Sequence, residues 1–77
     1  MEVYRRESQK IINRFIDQRL TFSECVAALD TALADATRHA AHENTVSLRI
    51  LASANYEMVR KERERQTRLV TDRAISA

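Results

Sequence analysis

Apolar residues recur every three or four positions through most of this chain, broken by two short polar joints, and that pattern predicts three helices. The first covers roughly residues 2–18. Tyr4, Ile11, Ile12, Phe15 and Ile16 fall on one face, with Ser8 in the same stripe, while Arg5, Arg6, Lys10, Arg14 and Asp17 take much of the remainder.

The first joint, "RLTFSEC", carries a T-x-x-E capping box. Thr21 can accept from the amide of Glu24 while Glu24 reaches back to the amide of Thr21, and Leu20 and Cys25 occupy the two positions of a hydrophobic staple. A second helix is therefore expected over about residues 22–40. Its seam is Phe22, Val26, Leu29, Leu33 and Ala36, widened by Cys25 and Ala32. With so short a joint, the two helices should form an antiparallel hairpin.

Asn44 or Thr45 can cap a third helix, expected over about residues 45–71, with Leu48, Ile50, Leu51, Ala54, Met58 and Val59 as its buried candidates. Such a helix is about 40 Å long against about 25 Å for either partner, so part of it must overhang. Residues 60–68, "RKERERQTR", contain no apolar side chain. Glu57 with Lys61 and Glu64 with Arg68 have the favourable i, i+4 order, which would let this stretch stay helical in water. Leu69, Val70 and Ile75 then return with nothing in the hairpin to cover them; the end either frays or is received by a second chain.

Composition sharpens the class. The 77 residues include no glycine and no proline but 11 alanines, which suits helices and starves hairpin turns. The fold expected is all-α: one domain over residues 1–77, an antiparallel helical hairpin plus a long third helix, its small core completed by oligomerisation.

Charge adds little. The formal net charge of +2 does not force a nucleic-acid or membrane partner. Its distribution is uneven: residues 1–20 carry net +2, residues 21–44 net −3 and residues 45–77 net +3. No apolar run follows the basic residues near the N-terminus, so neither a signal peptide nor a membrane span is expected, and a cytoplasmic location is the default.

Candidate chemistry is sparse. Asp35, His39, His42 and Glu43 cluster at the second joint, and on a helix Asp35, His39 and His42 or Glu43 would share a face. Ligands seven positions apart on one helix lie about 10 Å apart along its axis, too far to wrap one ion without a facing helix. Helix ends explain the same residues: Arg38, His39 and His42 suit exposed carbonyls, and Glu43 suits the start of the next helix. No metal and no cofactor are expected.

The lone Cys25 excludes an internal disulfide and sits in the apolar seam as a small hydrophobe. There is no phosphate-binding glycine loop, no G-x-S-x-G elbow and no pair of acids on an apolar face, so the expectation is no enzyme.

The expected function is a helical protein–protein interaction or self-association module, its partner a second copy or another helical protein, with contacts from Phe15, Phe22, Leu51, Met58, Leu69 and Val70. The alternative is nucleic-acid binding through Arg60, Lys61, Arg63, Arg65 and Arg68, of which Lys61, Arg65 and Arg68 share a face. It ranks second because Glu62 and Glu64 interrupt the run, Glu57 and Asp72 bracket it, and only Tyr56 among the four aromatics is expected to be an exposed ring.

Overall fold

The computed structural model describes the backbone of residues 2–76 and the side chains of residues 2–73; the expectation for Ile75 lies outside those side chains. The chain is three helices in an up-down-up bundle, with no strand among the described residues. Helix α1 spans Glu2–Ile16, α2 spans Phe22–His39 and α3 spans Thr45–Ser76, with a single 3-10 turn at His42–Asn44 before the last. The third helix thus runs 32 residues, past the end expected near Thr71.

The α1–α2 joint is closed by hydrogen bonds on both sides. The amide of Gln18 donates to the Phe15 carbonyl at 3.0 Å and that of Arg19 to the Arg14 carbonyl at 2.8 Å. This is the paired 5→2 and 6→1 pattern of a Schellman ending, in which the residue at the turn must be left-handed. Glycine usually fills that place, but here Gln18 does, at φ 62°. A side chain in that region costs on the order of 1 kcal/mol. The α2 side is the capping box read from the sequence: Glu24 N donates to Thr21 Oγ1 at 3.1 Å, and Thr21 N donates to Glu24 Oε1 at 2.9 Å. Hydrogen bonds from the Thr21 amide, and then its hydroxyl, hold the Glu24 carboxyl below its ordinary range. Leu20 packs on the cluster that contains Cys25, as a staple should.

The core has two layers. Next to the joint, Ile11, Ile12, Phe15, Cys25, Leu29 and Val59 are buried together. Toward the other end, Tyr4, Leu48 and Ala52 are buried against the alanines of α2 and Leu51. Tyr56 and Ala32 touch both layers. Burial raises the thiol of Cys25 above its ordinary range, which disfavours the reactive thiolate.

Two polar ties set the register of α1 on α3. Asn55 Nδ2 donates to the Tyr4 hydroxyl at 3.3 Å, and Gln66 Nε2 donates to the Phe15 carbonyl at 3.1 Å. Both join residues 51 apart in sequence. A constant offset over three helical turns means that the helices run parallel without slipping. On α3 the buried positions are Leu48, Ala52, Asn55 and Val59, followed by half-buried Glu62 and Gln66. That spacing of four, three, four, three, four is the seam of a left-handed bundle.

This register corrects the reading of α3. Leu48 and Val59 are buried and Leu51 half-buried as expected, but Ile50, Ala54 and Met58 face water, while Ala52 and Asn55 take the inner positions. On α1 the stripe holds except for Ile16, which is exposed. Residues 60–68 are not wholly solvated either: the Glu62 side chain is only 13% exposed, and Gln66 reaches α1. The hairpin therefore accompanies α3 as far as Gln66, and the overhang begins after it. The result is a rod of 53 × 19 × 16 Å.

Candidate interaction surface

The register of α3 decides what the chain shows to its surroundings. With Leu48, Ala52, Asn55 and Val59 turned inward, Val46, Ile50, Ala54 and Met58 form a row at i, i+4 spacing along an outer face. Val46 is 62% exposed, Ile50 67% and Met58 47%. Leu51, half-buried, lies at the inner edge of the row. Isolated exposed apolar residues need no explanation, but a contiguous row on one helix does.

A second apolar area lies at the other end. An open groove of about 300 Å³ runs between the α1–α2 joint and α3, with Leu20, Phe22, Leu69 and Val70 among its walls. Phe22 is half-buried, its ring centroid 6.1 Å from that of Phe15 at 57°, and the Arg63 guanidinium carbon lies 4.3 Å from its centroid. Arg63 thus covers the outer face of Phe22 as a cation on an aromatic ring. Leu69 and Val70 remain exposed, at 41% and 66%, across this groove rather than in isolation.

The six residues expected to make contacts therefore occupy different places. Phe15 is buried within the chain's own core, Phe22 is half-covered by Arg63, Leu51 is half-buried, and Met58, Leu69 and Val70 are exposed. Ile50, expected in the core, and Val46, outside the expected apolar stripe, are thus both surface residues.

The five cations of residues 60–68 are largely engaged. Arg60 pairs with both Glu57 and Glu64, the latter at 2.6 Å, so it takes the carboxylates expected to meet Lys61 and Arg68. Arg65 pairs with Glu62 at 2.6 Å, and Arg63 is on Phe22. Lys61 and Arg68 make no ion pair among the described residues. These pairs hold Glu57 and Glu62 below the ordinary carboxylate range, by hydrogen bonds from Arg60 and Arg65 respectively. Tyr56 is not a free ring either. It is half-buried and donates a short hydrogen bond to Asp30 Oδ1, and burial followed by that bond raises its hydroxyl pKa well above the ordinary tyrosine value.

At the second joint, His39 Nδ1 lies 2.9 Å from the Asp35 carbonyl and 3.8 Å from its carboxylate, which also meets Arg38 at 3.4 Å. His42 belongs to the 3-10 turn, and its carbonyl accepts from Thr45 Oγ1 at 2.8 Å. Among the described residues no three His, Cys, Asp or Glu side chains converge as a metal ion requires. Asp35 and His39 instead rim a cleft of about 380 Å³ with Glu7, over a floor of Ala32, Ala36 and Leu48. No helix among the described residues is long and apolar enough to cross a membrane.

No protein-family model, curated protein or solved structure matches the chain.

Proposed function

We propose that this chain is a non-catalytic helical association module that pairs with a second copy of itself. The observation that supports the reading is the exposed row on α3: Val46, Ile50, Ala54 and Met58 stand in water although the helix has an inner seam for apolar residues. In a chain of this size a second copy also supplies the core that 77 residues build only thinly. Nucleic-acid binding is less favoured, because three of the five cations in residues 60–68 are already committed to Glu57, Glu62, Glu64 and Phe22.

Molar mass by light scattering over a concentration series tests the reading. A mass of two chains or more supports it, and Ile50→Glu should lower that mass while leaving helix content unchanged. A wild-type chain that stays monomeric at every concentration would overturn it.

A further inference from the structure

The pairing geometry of the two copies can be taken further from the residues of α3, on the assumption that the association reading holds. Within the exposed row, three residues are symmetric about Ala54: Ile50 lies one turn before it and Met58 one turn after, while Val46, two turns before, has no apolar counterpart. Turned end for end about Ala54, the helix sets Ile50 of one copy against Met58 of the other, twice, with the two Ala54 residues facing each other. The apolar half of each contact is supplied by the other half of the same row. That is the self-complementarity a two-fold interface needs.

The charges that flank the row choose the direction. Lys61 stands one turn beyond Met58, and Glu43 lies in the 3-10 turn just before α3. Neither makes an ion pair within the chain among the described residues. In the antiparallel arrangement Lys61 of one copy stands at the level of Ser47 of the other, within one turn of that copy's Glu43. A parallel arrangement sets Lys61 against Lys61 and leaves Glu43 facing Glu43. Attraction in one direction and repulsion in the other favour the antiparallel arrangement.

We infer that two copies pair antiparallel through α3, about a two-fold axis at Ala54, with Ile50 packed on Met58 and Lys61 paired with Glu43 across the interface. Packed helices lie 8–10 Å apart and each backbone has a radius of about 2.3 Å, so the two Ala54 Cα atoms come within about 3.4–5.4 Å. Only a residue as small as alanine allows this approach. The upper part of that range overlaps the span of a disulfide, about 4.4–6.8 Å between Cα atoms.

The test is a pair of single-cysteine additions in the full chain, with Cys25 left in its buried position. Ala54→Cys should cross-link to a covalent dimer under mild oxidation. Ser53→Cys, one residue earlier and about 100° away around the helix, should not. A charge exchange gives an independent readout: Lys61→Glu and Glu43→Lys should each weaken the dimer on the order of ten-fold, and the two together should restore it. A chain that is dimeric by mass but fails to cross-link at Ala54, or cross-links as well at Ser53, overturns this pairing and leaves the association reading standing. Charge variants that weaken the dimer without restoring one another also overturn it. A monomeric mass removes both.

Discussion

Gln66 of α3 donates through Nε2 to the carbonyl of Phe15, the same carbonyl that receives the amide of Gln18 at the end of α1. A side chain from the third helix thus completes the ending of the first, beside the joint that begins the second. All three helices meet there. Its Nε2 also lies 3.0 Å from Glu62 Oε2, so the amide is held from two sides. Gln66→Ala should cost about 1 kcal/mol, the usual net value of one such bond. Gln66→Glu should cost more, because it sets a second carboxylate against Glu62 and the carbonyl. Urea denaturation read by circular dichroism checks both, and equal midpoints for the two variants would remove the electrostatic part of the account.

Gln18 offers the opposite opportunity. Its φ of 62° is a region that glycine visits without penalty. Gln18→Gly should therefore stabilise the chain, by up to about 1 kcal/mol once the extra freedom of glycine in the unfolded chain is counted. A higher melting temperature for the variant is the expected result. A lower one would mean that the Gln18 side chain makes a contribution its backbone strain conceals.

The Tyr4–Asn55 pair is a test of specificity against stability. Tyr4→Phe leaves a buried amide without its acceptor and should cost about 1–3 kcal/mol. Tyr4→Phe with Asn55→Leu replaces both partners by apolar groups and should recover most of that loss. A double-mutant cycle in denaturant measures the coupling directly. If the two losses simply add, the hydrogen bond has no share in holding α1 to α3.

The pH dependence of the α2 cap follows from the sign of one shift. The Glu24 carboxyl is held below its ordinary value of 4.5 by the Thr21 amide and hydroxyl. A group depressed in the folded state adds stability above its unfolded pKa and loses it as pH falls through the folded one. Acidification below 4.5 should therefore weaken the wild type more than Glu24→Gln, which keeps a hydrogen-bond acceptor without a charge. Melting curves from pH 7 to 3 should show the two proteins converging at the acid end. Parallel curves would exclude the cap from acid sensitivity.

The local features of this fold were legible because they are local. The box at Thr21 and Glu24 needs only four residues, and the stripe on α1 from Tyr4 to Phe15 needs only one helix. The inner face of α3 was not legible, because it carries a small residue and a polar one, Ala52 and Asn55, whose burial depends on Tyr4 at the far end of the chain. Ile50, Ala54 and Met58 offered a more apolar alternative, and the pattern on one helix does not reveal which of two faces its neighbours will cover. Ile50, Ala54 and Met58, expected in the core, are instead exposed on the outer face, where they join Val46. The ending at Gln18 was hidden for a different reason, since no glycine marks it.

The fixed offset of 51 residues between α1 and α3 also orders events in time. The α1–α2 hairpin forms from contacts across a joint of a few residues, whereas every tie from α1 to α3 must first close a loop of about fifty. The α1–α2 hairpin is thus expected to form before α1 meets α3. On a ribosome the first two helices would leave the tunnel before the residues that lock them in place had emerged from it. For that interval the face of the hairpin that will receive Val59 and Leu48 is open, and another copy's third helix fits it as well as the chain's own. Exchange of α3 between neighbouring chains during synthesis is the hazard that this order of assembly carries.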